Sequence, residues 1–284
     1  MRRAVIDIGT NTVKLLVADV EDGTVRPVVA KDVTTRLGEG VNKTHRLATD
    51  AIARTVAAVA QYADEARALG AANIVAVATS AARTASNAEE FLRACPVPVE
   101  IISGEREARL IFRGASSDPR WSRERILVMD VGGGSAEWIF GAGGAPERLI
   151  SLPVGAVRLL EKFGEHDFAG MAAFLRAEFA RQLAPFRGAG AWRMIGTGGT
   201  LVTLARIARL PVDGARLSLG AVRELVSRLD AMPLEQRRRV PGLPSERADI
   251  IVAGGAVALF AMESLGVEEL TVSVRALRFG LLVE

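Results

Sequence analysis

The 284-residue chain is poor in the residues that many active sites are built from: it has one cysteine, two histidines and, among 36 basic residues, only four lysines. Cys95, being alone, excludes an intramolecular disulfide and a cysteine zinc cluster, and it suits a reducing compartment. His45 and His166 cannot build a histidine-rich metal site and leave little room for a Ser-His-Asp triad. The longest apolar run, Ile250 to Met262, covers 13 residues, short of the ~20 that cross a bilayer. The N-terminus reaches Asp7 after three apolar residues, too few for a signal peptide. A cytoplasmic protein without a membrane partner is expected. A net charge of +3 is too mild an excess to point to a nucleic-acid partner. The arginine bias has two readings, codon usage or a preference for guanidinium forks that match phosphate oxygens.

What is present is an alternation of apolar runs, glycine turns and amphipathic stretches, which predicts an α/β protein. Strands are expected at 5–8, 13–20, 25–33, 73–78, 97–102, 126–131, 136–140, 192–195 and 269–274. Helices are expected at 49–69 with Thr49 as N-cap, and at 87–94 with a capping-box pair Asn87 and Glu90. Further helices are expected at 105–114, 156–163, 168–186, 201–210, 219–232, 246–265 and 275–282. The polar, proline-containing stretch Ser116 to Arg120 reads as an interdomain linker.

One internal repeat organises the chain. Val5-Ile6-Asp7-Ile8-Gly9-Thr10-Asn11-Thr12 matches Val128-Met129-Asp130-Val131-Gly132-Gly133-Gly134-Ser135 at a constant shift of 123 residues. In each copy an aspartate ends a strand, a glycine permits a tight turn and a hydroxyl follows, so successive N–H groups can form an anion nest. Both loops run from strand to strand, unlike a dinucleotide fold or a P-loop, whose signatures are missing. Asp130 and Glu137, across the second loop, are a natural Mg²⁺ pair beside bound phosphate, with Asp7 as a third oxygen source. Gly196-Thr197-Gly198-Gly199-Thr200 opens a helix and is a further anion-friendly element. Arg83 follows a strand toward the same cleft edge. Glu105 suits a helix dipole, Arg237-Arg238-Arg239 a solvated face, and Cys95 a bystander.

Together these segments resemble the exopolyphosphatase/guanosine pentaphosphate phosphohydrolase (Ppx/GppA) family, within the sugar kinase–actin–heat-shock ATPase superfamily, over nearly the whole chain. Val5 to Thr12 resembles its first phosphate loop, Ala78 to Arg83 its second motif and Asp130 to Glu137 its second phosphate loop. Ile101-Ile102-Ser103-Gly104-Glu105-Arg106-Glu107-Ala108-Arg109-Leu110 resembles its catalytic motif, with Arg106 where many members have a second glutamate. The resemblance implies two actin-like (ribonuclease H-like) domains, at 1–120 and 121–274, flanking a cleft, with the terminal segment 275–284 packing back on the first. It implies Glu107 as catalytic base, and Asp7, Asp130 and Glu137 at Mg²⁺. Phosphate contacts would come from Gly9, Thr10, Asn11, Thr12, Lys14, Arg83, Gly132, Gly133, Gly134, Ser135, Gly198 and Gly199. Longer members carry a histidine–aspartate-type domain, which two histidines cannot supply here. The implied activity is release of orthophosphate from inorganic polyphosphate, with guanosine pentaphosphate hydrolysis or a slow nucleotide-binding module as alternatives, in a homodimer. Because the arginines are scattered along the chain, contacts to a few phosphates near Asp7, Arg83 and Asp130 are expected, and hence short chains.

Overall fold

The computed structural model describes residues 1–187 and 192–284. The first lobe begins with an antiparallel meander, β1 (Arg2–Ile8), β2 (Thr12–Glu21) and β3 (Thr24–Thr34). Beyond β3 come α1 (Val41–Thr44) and α2 (Thr49–Ala68). β4 (Asn73–Ala78) then joins β1 in parallel and, after α3 (Ser80–Thr84) and α4 (Ala88–Ala94), β5 (Val99–Ile101) joins β4. α5 (Gly104–Ser116) leaves this sheet, whose strand order is β3-β2-β1-β4-β5.

The second lobe repeats the plan. β6 (Arg125–Val131), β7 (Ala136–Ala142) and β8 (Ala145–Leu152) form a meander, followed by α6 (Ala156–Phe163) and α7 (Phe168–Gln182). β9 (Arg193–Thr197) pairs with β6 in parallel and leads into α8 (Gly198–Ile207). After β10 (Arg216–Ser218), α9 (Leu219–Asp230), α10 (Leu234–Arg237) and α11 (Ile251–Leu265), β11 (Glu269–Val272) and α12 (Leu277–Leu282) complete the chain. The order of the second sheet is β10-β11-β9-β6-β7-β8.

Strand alternation assigns the faces. Ile6 and Ile8 pack outward with Leu15 on Val59 and Tyr62 of α2 and Phe91 of α4. Leu127, Met129 and Trp138 pack outward under the helices of the second lobe. Val5, Leu16, Val128 and Ile139 turn inward, into a core shared by both sheets and filled by Ala108, Ile111 and Phe112 of α5 and Leu277 and Leu281 of α12. Asp7, Lys14, Asp130 and Glu137 lie two residues from these inward positions, so they share the inter-sheet face. The apolar run 250–262 becomes α11, buried nearly all round, and no helix of the described residues is long and apolar enough to cross a membrane.

Several expectations fail for physical reasons. Ala48, not Thr49, is the N-cap of α2. Asn87 is the N-cap residue of α4 and its Nδ2 donates to Glu90 Oε2 at 3.1 Å, but its Oδ1 makes no bond to the helix N–H groups because it accepts from Leu47 N–H. β8 and β10 are strands that the sequence reading missed; β8 is short of the apolar alternation that marks a strand because three of its residues are exposed. Ser116 to Arg120 does lie in the connection from α5 to β6, but it is packed rather than loose: Ser116 ends α5, and Asp118 is buried and paired with Arg120 and Arg275. α11 starts five residues later than expected, after a 3₁₀ turn at Ser245–Arg247.

α5 and α12 touch through glycine. A Cβ on Gly280 would collide with the Leu110 carbonyl, and one on Gly114 with the Ala276 carbonyl and, at 2.9 Å, the Gly280 nitrogen. Helix propensity alone would reward Gly280→Ala by about 1 kcal/mol; a backbone clash in a packed interior reverses the sign and costs about 1–3 kcal/mol. In urea unfolding the midpoint of Gly280→Ala is expected to fall with its slope unchanged. Gly220→Ala, at a site whose nearest neighbour is Ser218 Oγ at 3.9 Å, is expected to keep or raise the wild-type midpoint.

Candidate active site

The two repeated loops are built alike. Gly9 N–H donates to Thr12 O at 3.0 Å and Gly132 N–H to Ser135 O at 3.1 Å, each closing a tight turn. Neither glycine has a positive φ. Each is needed because a Cβ would press on the carbonyl that its own N–H reaches, at 3.1 and 3.0 Å. Behind the first loop, N–H groups of Thr35, Arg36 and Gly38 tie down the carbonyls of Asn11 and Thr10. Behind the second, Ala156, Val157 and Arg158 at the start of α6 do the same for Gly132 and Gly133. With the carbonyls held from behind, the N–H groups of Thr10, Asn11, Gly133 and Gly134, residues that line the cleft, donate to no backbone acceptor among the described residues. The loops also touch each other: a Cβ on Gly133 would lie 3.1 Å from Thr10 Cβ, and one on Gly134 would lie 2.5 Å from both Ser80 Oγ and Thr10 Oγ1.

Four carboxylates converge on this point from two sheets and a helix. Asp7 faces Lys14 across the β1–β2 ladder, with Lys14 Nζ 3.6 Å from Oδ2. Asp130 faces Glu137 at the corresponding place in the β6–β7 ladder. Asp130 Oδ2 accepts from Thr197 Oγ1 at 2.6 Å and Glu137 Oε1 from Ser151 Oγ at 2.8 Å. Burial raises the Asp130 carboxyl above its ordinary range, and it raises that of Glu137 much further, reinforced there by the charges of Glu107 and Asp130. Glu107, in the first turn of α5, is pushed up to about 7 by burial, with Asp7 and Asp130 adding to the shift and Arg83 opposing it. Arg83 Nη1 holds Glu107 Oε2 at 3.1 Å and the Ile102 carbonyl at 2.7 Å.

A cavity of about 420 Å³ contains Asp7, Glu107, Asp130, both loops, Gly198 and Gly199. Gly198 has φ +91°, and a Cβ there would press on Asp130 Oδ1 at 3.0 Å; one on Gly199 would displace the Arg247 guanidinium. Arg83 opens instead onto an adjoining pocket. The cavity holds more cations than the scattered sequence led one to expect: Lys14, Lys31, Arg206, Arg247 and Arg278. Arg247 is buried and donates to Thr12 Oγ1 at 3.0 Å; Arg278 donates to the Leu15 carbonyl. No local motif marks either, since both arrive from the far end of the chain. The expected solvated triplet is corrected at Arg237, which is buried against Glu165 at 3.0 Å. Glu105 is exposed and paired with Arg109, and burial raises the Cys95 thiol to about 11, away from nucleophilic use.

The donor set suits a hard cation. Mg²⁺ takes one or two carboxylates and completes its shell with phosphate and water oxygens. Asp130, half-buried, and Glu137, buried, face each other across the β6–β7 ladder, and Asn11 Oδ1 is a buried oxygen without a hydrogen-bond partner. Among the described residues no three acidic, histidine or cysteine side chains form a ready-made cage. The three-carboxylate set expected from sequence is therefore not a single ligand group: Lys14 stands on Asp7, Thr197 on Asp130 and Ser151 on Glu137.

Comparison with known proteins matches this architecture. A model of the Ppx/GppA phosphatase family matches residues 16–284. Exopolyphosphatase 1 of Mycobacterium tuberculosis is 33% identical, over 100% of this chain and 88% of its own length. The crystal structure of an exopolyphosphatase from Cytophaga hutchinsonii superposes with a TM-score of 0.89 at 28% identity, covering 99% of this chain and 96% of that one. That of the Aquifex aeolicus Ppx/GppA family member gives 0.81 at 32% identity, covering 100% and 96%. With its two actin-like sheets, its paired loops and a family match over nearly its whole length, the chain belongs to the Ppx/GppA phosphatase family.

Proposed function

We propose that the chain is a phosphoanhydride hydrolase, an exopolyphosphatase that releases orthophosphate from the end of short inorganic polyphosphates. The observation that carries this reading is Glu107. It is a buried carboxyl raised to about 7, held by one oxygen between two loops whose N–H groups are open. Relatives named exopolyphosphatase support it.

The open N–H groups of Thr10, Asn11, Gly133 and Gly134 and the hydroxyls of Thr10, Thr12 and Ser135 are placed to bind a terminal phosphoryl. Arg83 fixes Glu107 Oε2, which leaves Oε1 to take a proton from a water molecule. The water oxygen forms the new bond to phosphorus, the bridging P–O bond breaks, and the remaining chain departs with the electron pair. A base with a pKa near the working pH is well matched to this transfer. Mg²⁺ would be held by Asp130 and Glu137, with Asp7 reached through water, and it supplies positive charge to the phosphoryl oxygens. The five cations of the cavity serve a handful of further phosphates. A second reading, guanosine pentaphosphate hydrolysis, is favoured by the apolar wall of Pro27, Val202, Val212 and Phe279, which polyphosphate does not use and a nucleobase would.

Glu107→Gln is expected to lower kcat by about 10²–10⁴ with substrate affinity nearly intact; a variant keeping more than about a third of wild-type turnover removes Glu107 from the base role. Affinity per chain end, measured across a polyphosphate length series, should rise over the first few phosphates and then level off, and long chains should shorten together on a gel. Full-length chains persisting beside free phosphate would contradict this.

The raised carboxyls also carry a stability signature. An acid whose pKa is raised on folding is neutral below its ordinary value of 4.5 and free of penalty there. As pH climbs through the raised value, the fold must hold a buried charge or a displaced proton, and stability is lost. Glu137→Gln should therefore raise Tm at pH 8 and lose that advantage near pH 4.5, and Mg²⁺ should raise the wild-type Tm at pH 8 more than that of the variant. Equal melting curves throughout would deny the buried-charge penalty.

A further inference from the structure

Arg83 does not line the main cavity; its free edge opens into an adjoining pocket of about 440 Å³ that both lobes build. The first lobe contributes Ser80, Arg83 and Thr84 from α3, and the second contributes Ser151 from β8 and Arg158 from α6. The two chambers share Ser80 and Ser135 as a wall, and the Arg83–Glu107 bond reaches from one chamber to the other.

Arg158 is set in this pocket deliberately. Its Nε donates to the Gly134 carbonyl at 3.1 Å, which leaves both Nη groups without a hydrogen-bond acceptor among the described residues, and it makes no ion pair there. It is half-buried: burial weighs against its proton, the Glu161 carboxylate supports it, and the like charge of its neighbour Arg83 opposes it. The one carboxylate that lines the pocket, Glu105, is already paired with Arg109 at 2.9 Å. Arg83 is paired with Glu107 on one side, but both Nη groups of Arg158 stand open beside the free edge of Arg83 and the pocket's hydroxyls, which gives the pocket donors to offer an anion. Guanidinium forks match the oxygens of a tetrahedral phosphoryl, and charge-assisted hydrogen bonds of this kind are the strong ones.

We propose that the Arg83–Arg158 pocket is a second phosphoryl-dianion site, in which Arg158 is the specificity-determining residue. The proposal deepens the hydrolase reading and rests on it. The dianion has two possible sources, released orthophosphate and a phosphoryl of the substrate chain. In either case the site lies across the Ser80–Ser135 wall from the main cavity that holds Glu107 and the five cations.

Titration of the metal-free wild-type protein with inorganic phosphate, by calorimetry, needs no turnover and tests the pocket even if the hydrolase reading fails. Arg158→Gln is expected to weaken phosphate binding about tenfold or more with Tm retained. Steady-state kinetics on tripolyphosphate then separate the sources. If orthophosphate is the occupant, its inhibition constant rises in Arg158→Gln while KM holds; if a substrate phosphoryl is, KM rises in parallel. Thr84→Glu, which places a carboxylate in the pocket without touching Arg158, should mimic the loss should Arg158→Gln not fold. Phosphate affinity, inhibition and KM all unchanged in a folded variant would overturn the proposal. Loss of phosphate binding in a protein that hydrolyses no phosphoanhydride would uphold the pocket and refute the hydrolase reading alone.

Discussion

Two helices from different ends of the chain approach until a carbonyl oxygen occupies the space where a side chain would begin. Gly114 and Gly280 make that approach possible, and α5 and α12 together fill the gap between the sheets. The consequence reaches the chemistry directly. The phosphate loops belong to different sheets, and a base that serves both must be fixed relative to both. Glu107 meets that requirement because its helix is packed on the second sheet and on α12 while its first turn leaves the first sheet. Polar bridges then close the cleft on one flank, with Glu161 accepting from Gly40 and Asn42, and Arg36 reaching Asp249.

The internal repeat is symmetrical in backbone and asymmetrical in charge. Lys14 and Glu137 occupy corresponding positions, each opposite the aspartate of its own loop. The first copy is therefore an ion pair, and the second a pair of acids held by the hydroxyls of Thr197 and Ser151. Both copies keep the same loop geometry, and this one exchange of sign is what sets them apart. Buried acids of this kind work against the fold, and a functional site is where such a local conflict is expected.

Much of this was legible in the sequence. The two loops and their strand-turn-strand context follow from short patterns whose residues are neighbours in the chain, whereas Glu107 stood out only through the family resemblance; the structure brings them together in one cleft. What escaped has a common cause. Arg158, Arg247 and Arg278 reach the site through tertiary packing, and nothing in their local sequence separates them from the other arginines. Arg237 was assigned to a solvated face because a run of three arginines reads as surface; one of the three is turned inward onto a carbonyl and Glu165. Asn87 holds the N-cap position of α4 and meets Glu90 as the local pattern says, but its Oδ1 answers a backbone forty residues earlier instead of the helix. The stretch from Ser116 to Arg120 carries linker composition, but Asp118 anchors it to Arg275 beyond the second sheet.

α11 has one further consequence, for how the chain is made. It is the most apolar helix of the molecule, buried on every side, and the surfaces that cover it belong to α6, α7, α8 and α9. All four precede it in sequence. During synthesis from the N-terminus, the segment most prone to aggregate emerges only after every partner that will shield it has left the ribosome, so the order of elements limits the time this greasy surface spends uncovered.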